Sequence, residues 1–280
     1  MLIRYFDPWK GDLCTCPKKY SFNPYTGCEH KCVYCYITSY IPRGHEGRIK
    51  KNLLKTVMKE KKKLNPNIPI SMSNSSDPYT PLEKTHKITR ACLKILKDFK
   101  ILIITKSDLV VRDADLLKNM RTSVSMTITT LDENLARKLE PHAPTPEKRL
   151  RAIHELIEKG IPVSCRIDPI IPGLNEDTKR IVKELSDIGV KHIVSSTFKP
   201  RYDSWKRFSS TFRDIAKELE ELYFKKGSKH NNSYYLPREL RVKLMQQVKE
   251  NCRHWGITFA TCREGLPNEV TCDGSHLIKG

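Results

Sequence analysis

The chain has 280 residues, enough for one large α/β domain with extensions, and its 38% hydrophobic content can fill a core. The 51 Lys and Arg against 32 Asp and Glu leave a net charge of +19, which points to a polyanion such as nucleic acid, because neutralised phosphates release counterions. No apolar run reaches the ~20 residues of a membrane span, and without a leader-like start the 10 cysteines read as metal or redox ligands of a cytoplasmic protein, not as a disulfide framework.

Residues 1–19 form an irregular arm, broken by Pro8, Gly11 and Pro17 and carrying Cys14 and Cys16. A short strand over 20–23 leads into Gly27-Cys28-Glu29-His30-Lys31-Cys32-Val33-Tyr34-Cys35-Tyr36. The C-x3-C-x2-C spacing of Cys28, Cys32 and Cys35 gathers three thiolates for three irons of a [4Fe–4S] cluster. Such clusters ordinarily take four cysteines. Three leave one iron open to a substrate or cofactor, which is a catalytic arrangement rather than a sealed one. Zinc is the competing reading, but it asks for a closed tetrahedron, and His30 reaches a fourth position only with strained geometry.

Residues 48–64 read as a basic helix with Leu53, Leu54, Val57, Met58 and Leu64 as its apolar stripe. Its lysines fit a solvated face or a phosphate-binding one; for the chain's overall charge, a lysine-rich, heat-adapted surface is the alternative. Strands are expected over 68–73, 101–106, 123–129, 162–168 and 191–197, and helices over 82–98, 113–120, 131–139, 145–159, 176–188 and 208–224. Asn175 or Asp177 suits the cap of the helix after Gly173. Alternating strands and helices mean a parallel sheet with helices outside. Counting the strand before the cysteine loop gives six βα units, an α/β partial (β/α)6 barrel over 20–224. Functional groups then collect at the C-terminal ends of the strands. A polar loop, a helix over 237–253 and a cysteine-containing tail complete 225–280.

Phe198-Lys199-Pro200-Arg201-Tyr202-Asp203-Ser204-Trp205-Lys206-Arg207-Phe208 follows the last of these strands. Aromatics interleaved with cations suit base stacking and phosphate contacts, so Lys199, Arg201, Tyr202 and Trp205 are candidate substrate contacts, with Tyr234 and Tyr235 adding to the surface. A lid packing Trp205 and Phe208 on the barrel rim is the alternative. Cys92 and Cys165 sit in apolar helix and strand contexts and read as core, and Cys252 falls within the final helix. Cys14, Cys16, Cys262 and Cys272 lie in Gly/Pro-containing loops at the two ends. They can form a closed four-thiolate site, a second [4Fe–4S] cluster or a zinc, since softness admits both. His276 can replace one of them on zinc, and unligated thiols are the alternative.

The cysteine loop, with its aromatic before the third cysteine, resembles that of radical S-adenosylmethionine (SAM) enzymes. The wider chain resembles their spore photoproduct lyase-like branch, the "DNA repair photolyase" group of archaea and bacteria. That likeness covers most of 20–200. It rests on Asn23-Pro24-Tyr25-Thr26-Gly27-Cys28, Ser75-Ser76-Asp77-Pro78-Tyr79, Ile104-Thr105-Lys106-Ser107, Leu139-Glu140-Pro141 and Arg166-Ile167-Asp168-Pro169-Ile170-Ile171-Pro172-Gly173.

The resemblance implies that SAM chelates the open iron and that one electron from a low-potential donor cleaves it. The resulting 5′-deoxyadenosyl radical abstracts a substrate hydrogen, while the protein supplies orientation and excludes water. It implies Ser73, Asn74 and Ser75, ahead of Asp77, at the SAM amino group, and Lys106 on the carboxylate. Thr127 would line the cofactor with Ser125 and Thr129, which share its strand face. Glu140 would take ribose hydroxyls or an ammonium, and the Tyr34 backbone would meet adenine. Arg166 and Asp168 would pair beneath the cofactor or form only a buried ion pair.

One departure stands out: Asn74 occupies the position of that lyase's hydrogen-donor cysteine, three residues before the Asp, so thymine-dimer lyase activity is not expected. The expected function is hydrogen abstraction from a nucleic acid in repair or modification. Peptide modification assisted by an auxiliary cluster, and an Fe–S nucleic-acid-binding protein without turnover, are the alternatives.

Overall fold

Short runs of Ile, Val, Ser and Thr suit pleated strands covered on both faces. The computed structural model describes residues 1–6, 13–72 and 74–279, and it forms strands at all six expected places. In chain order the strands are β1 (Arg4–Tyr5), β2 (Tyr20–Phe22), β3 (Tyr25–Thr26), β4 (Arg48–Ile49), β5 (Ile70–Met72), β6 (Ile101–Thr105), β7 (Thr122–Thr127), β8 (Val163–Ile170), β9 (His192–Thr197), β10 (Ser228–His230), β11 (Ser233–Tyr235) and β12 (Thr258–Thr261). One sheet runs β1-β2-β5-β6-β7-β8-β9-β12. β1 is antiparallel to β2, and every pairing from β2 to β12 is parallel. The sheet is open, with β1 and β12 at its edges.

The arm and the tail are thus woven into the sheet. β12 was not expected from sequence, because Thr258-Phe259-Ala260-Thr261 is half exposed and lacks an apolar run. Among the described residues it is an edge strand paired only with β9.

The helices are α1 (Leu53–Glu60), α2 (Glu83–His86), α3 (Ile88–Ile95), α4 (Ala114–Leu117), α5 (Glu133–Leu139), α6 (Pro146–Glu158), α7 (Lys179–Asp187), α8 (Tyr202–Thr211), α9 (Arg213–Phe224) and α10 (Arg238–His254). α1 is shorter than expected because Arg48 and Ile49 pair with β3 instead. Leu53 and Val57 of its stripe are buried, whereas Met58 is exposed.

The single helix expected over 208–224 is two, α8 and α9, broken at Phe212. The hydroxyls of Ser209, Ser210 and Thr211 donate to carbonyls of the preceding turn, a competition that weakens helices. α7 begins at Lys179 because Asn175 serves the loop instead. Asn175 Oδ1 accepts from Ile171 N, and its amide donates to the carbonyls of Thr129 and Pro169. Among the described residues no helix is long and apolar enough to cross a membrane.

Strand alternation gives the sheet two unlike faces. Ile101, Ile103, Val124, Met126, Cys165 and Ile167 are buried in the hydrophobic core. The other face carries small hydroxyls: Ser71 and Ser123 flank Leu102, and Ser125 stands beside Ser164. Towards the C-terminal strand ends this face presents Ile104, Thr127, Arg166, Asp168 and Ser196 to a cavity. At the opposite ends the tail fills the space. Gly274, at φ +78°, lies so close that an added Cβ would stand 2.7 Å from Ser164 Oγ, and Ser123 Oγ donates to its carbonyl at 3.4 Å. Only glycine meets both conditions without strain.

Candidate functional site

The cavity, about 750 Å³, is lined by Cys28, Cys32 and Cys35 together with residues from the C-terminal ends of the strands. Its cysteine loop is tied down on several sides. Gly27 turns at φ +75° so close to the Glu46 carbonyl that a Cβ would stand 2.1 Å from it. Cys28 N donates to Gly44 O at 2.8 Å, and Val33 N to Leu139 O at 2.9 Å. From α8, Arg207 donates to the carbonyls of Cys35 at 2.6 Å and Val33 at 3.3 Å, and to Thr38 Oγ1 at 2.9 Å. Burial pushes the Cys28 thiol up to about 12 and raises Cys32 and Cys35 as well. The free thiols therefore hold their protons, and metal binding would release them.

Asp77 organises the next layer. Its Oδ1 accepts from Tyr79 N at 2.8 Å and Thr105 Oγ1 at 2.6 Å, and its Oδ2 from Lys106 N at 2.7 Å. His30 Nε2, from the cysteine loop, stands 3.3 Å from Oδ2. Burial alone would raise this carboxyl, but His30, Thr105 and the Lys106 N–H outweigh it and hold it below the ordinary value. His30 is thereby engaged with Asp77 and, at 3.4 Å, with the His142 carbonyl.

Lys106 lines the cavity with its ammonium 5.6 Å from the Tyr34 ring centre and 3.9 Å from Glu140 Oε1. Glu140, expected at ribose hydroxyls or an ammonium, faces the Lys106 ammonium. It is 2% exposed and absent from the cavity wall, and Arg149 Nη2 meets it at 2.5 Å. The Tyr34 and Thr129 hydroxyls also donate to it. Burial would raise its carboxyl, but Arg149 and then Lys106 hold it at about 2. Glu140 thus takes the chain's own cations rather than ribose hydroxyls, and it positions Lys106.

Asn74, Ser75, Tyr34, Thr127, Arg166 and Asp168 line the cavity, whereas Ser73 lies outside the described residues. Asn74 turns its amide to Ser21 Oγ at 2.8 Å and Ser71 O at 3.1 Å. Of the alternating hydroxyls only Thr127 reaches the cavity; Ser125 is buried beneath it and Thr129 serves Glu140. Arg166 Nη2 donates to Asp168 Oδ2 at 2.7 Å, and Ser196 Oγ to Asp168 Oδ1 at 2.7 Å. Burial opposes the Asp168 charge, yet Arg166 and Lys199 keep its carboxyl below the usual range.

The basic-aromatic stretch is used differently from the expectation. It begins α8, with Ser204 Oγ accepting from Arg201 N at 2.9 Å. Trp205 packs among Phe208, Tyr223 and Phe224, and Tyr234 lies against Phe224, so these rings serve packing rather than a free stacking surface. Arg201 is buried and donates to the hydroxyls of Ser39 and Ser233. Lys199 lines the cavity, but its ammonium donates to Glu264 Oε1 at 2.6 Å and Thr197 O at 3.0 Å. Tyr202 is 85% exposed and away from the cavity wall.

The exposed rings beside the thiols are instead Tyr36 and Tyr40, stacked with centres 6.1 Å apart and both on the cavity wall. The sequence alone assigns no role to these two rings, nor to Arg207 or Glu264. Their only signal was an aromatic pair four positions apart just after Cys35.

Cys14, Cys16, Cys262 and Cys272 all line this same cavity. His276 does not join them: its Nδ1 pairs with Thr271 Oγ1 at 2.7 Å and its ring packs edge-on to His192. Cys92, Cys165 and Cys252 are fully buried core, as expected.

The Cys28, Cys32 and Cys35 donor set fits a [4Fe–4S] cluster: three thiols of one short loop face one cavity, with an ammonium beside them. Among the described residues no three His, Cys, Asp or Glu side chains are gathered as for a single metal ion. A cluster asks for wider spacing, since each cysteine binds a different iron.

Comparison with known proteins agrees. The chain is 40% identical over 164 residues to an uncharacterised protein of Methanocaldococcus jannaschii, a match spanning 56% of this chain and 62% of that relative's length. It is 25% identical over 260 residues to a protein of Pseudomonas phage M6 named radical SAM Nalpha-GlyT isomerase, covering 86% of this chain and 53% of the phage protein. Its fold matches a solved spore photoproduct lyase variant with bound AdoMet and dinucleoside spore photoproduct. The TM-score is 0.65 at 16% identity, over 90% of this chain and 79% of that one, so the open sheet is that enzyme's partial barrel. Residues 22–185 match the radical SAM superfamily, and with the three-cysteine loop at the mouth of such a barrel, the chain belongs to that superfamily of enzymes.

Proposed function

We propose that this enzyme abstracts hydrogen from a nucleic acid, one base of which enters the cavity past Tyr36 and Tyr40. The observation that carries this reading is the stacked tyrosine pair, 40% and 36% exposed, on the wall shared with Cys28, Cys32 and Cys35. Aromatic platforms beside a positive surface suit single-stranded nucleic acid, and the chain carries a net charge of +19. The dinucleoside held by the spore photoproduct lyase structure supports an occupant of this size.

Cys28, Cys32 and Cys35 would hold the cluster. Lys106 would meet the SAM carboxylate, and Asn74, Ser75 and Thr127 would line the rest of the cofactor. A cluster and SAM held there, given a low-potential electron, would supply 5′-deoxyadenosyl radical chemistry. The protein's share is orientation. Asp77 fixes the Lys106 backbone, Glu140 restrains its ammonium, and Arg207 holds the carbonyls of the cysteine loop.

The test is fluorescence anisotropy of the anaerobically reconstituted enzyme with short single-stranded DNA and RNA. Affinity should fall steeply between about 50 and about 200 mM salt. Replacing both Tyr36 and Tyr40 by Ala should weaken it about tenfold or more, the worth of a lost stacking contact. Binding that ignores salt, or equal affinity of variant and wild type, would sink the nucleic-acid reading.

A further inference from the structure

Four cysteines are left over once the cysteine loop has been assigned its role, and they are not scattered. Cys14 and Cys16 come from the arm, Cys262 follows β12, and Cys272 comes from the tail that fills the barrel end. All four line the one cavity. The sulfurs of Cys16 and Cys272 are 3.5 Å apart. Cys14 is in hydrogen-bond contact with Cys16, and Cys262 lies within electrostatic reach of Cys14, Cys16 and Cys272.

Their surroundings differ from those of the core cysteines. Cys92, Cys165 and Cys252 belong to the apolar core. Two of the four face cations: Lys19 Nζ donates towards Cys16 Sγ at 3.6 Å, and the Arg166 guanidinium lies within electrostatic reach of Cys262. Lys19 is itself buried and paired with Asp273 at 2.5 Å, beside Cys272. N–H donors aimed at sulfur are what a charged thiolate centre requires of its surroundings. The backbone is already organised to bring the segments together. Asn268 Nδ2 donates to Thr15 Oγ1 at 2.9 Å, and a Cβ on Gly265 would stand 2.7 Å from Leu13 Cδ2.

We propose that Cys14, Cys16, Cys262 and Cys272 form a second metal centre, a four-thiolate site for a thiophilic metal. Four sulfur ligands close the coordination of either an iron–sulfur cluster or a zinc ion. Unlike the Cys28, Cys32 and Cys35 loop, this centre offers no open position to a substrate. Its role is to join arm to tail and to wall the cavity. Among the described residues no such group is gathered closely enough for a single ion, so the form the geometry favours is the cluster, whose cysteines each bind a different iron. The inference does not depend on the substrate being a nucleic acid.

The experiment is metal and sulfide analysis of the full chain purified anaerobically, as wild type and with Cys14, Cys16, Cys262 and Cys272 all changed to Ser. Loss of about four irons with their sulfide in the variant supports a cluster, and loss of about one zinc supports the zinc form. Equal metal content in the two proteins overturns the proposal. Because the variant can misfold, the wild type carries a second readout: alkylation of Cys14 and Cys16, the two on the arm, before and after mild chelation. Their labelling should rise several-fold once metal leaves, and labelling that chelation does not change overturns the proposal independently.

Discussion

Asp77 accepts the backbone N–H of Lys106 at 2.7 Å with the same oxygen that stands 3.3 Å from His30 Nε2. One buried carboxylate therefore holds the end of β6 against the cysteine loop. Asp77→Asn keeps the shape but turns an acceptor into a donor facing N–H groups. It should cost about 2 kcal/mol, as for buried hydrogen-bond donors left without their acceptor. Urea unfolding of the metal-free chain would show it, and the variant should also retain less iron on desalting.

Arg207 reaches from α8 to two carbonyls of the cysteine loop. A lysine has no planar fork and cannot span both. Arg207→Lys should leave secondary structure intact yet speed the loss of cluster absorbance to a chelator several-fold, with Arg207→Ala faster still. Unchanged release rates in both variants would remove Arg207 from the positioning of the loop.

Burial, then the facing His276 and Arg166, push His192 down to about 4. Thr258 Oγ1 lies 2.9 Å from its Nδ1, and Asp273 acts weakly the other way. The folded value is below the unfolded one of about 6.5, so the unfolded chain binds the proton first as pH falls. Stability from neutral His192 is complete above about pH 6.5 and is lost progressively towards pH 4, about 3 kcal/mol in all. Melting temperatures between about pH 7 and 5, above most carboxylate titrations, should slope downward in wild type and flatten in His192→Gln.

Gly274 and Gly256 both turn at positive φ, but only Gly274 is in close contact. Alanine at Gly256, with no described residue within 4 Å, should cost the left-handed penalty of about 1 kcal/mol. Alanine at Gly274 should cost about 2 kcal/mol more, because its Cβ must displace Ser164. Equal melting shifts would mean that the tail does not pack on the hydroxyl face as described.

The sequence announced the barrel and the cysteine loop because both are local. Strand runs such as Ile101–Thr105 carry their own pattern, and Cys28, Cys32 and Cys35 lie within one turn-rich segment. What it concealed depends on distant partners. Nothing beside Glu140 revealed that Arg149 would claim its carboxylate, and nothing in the 198–208 stretch showed that Trp205 would be taken up by Tyr223 and Phe224. β12 was hidden because an edge strand needs only a neighbour, not an apolar run. The terminal cysteines were legible as a set, but their meeting in the main cavity was not.

Cys16 and Cys272 are 256 positions apart along the chain. For an unfolded polymer, bringing such distant points together is an entropic cost with no local reward, so pairings of this separation form slowly. The wall of the cavity that these two residues share is therefore expected to close late in folding. A half-made barrel has no such wall, so closure of this seam would report that the sheet between the two cysteines has formed.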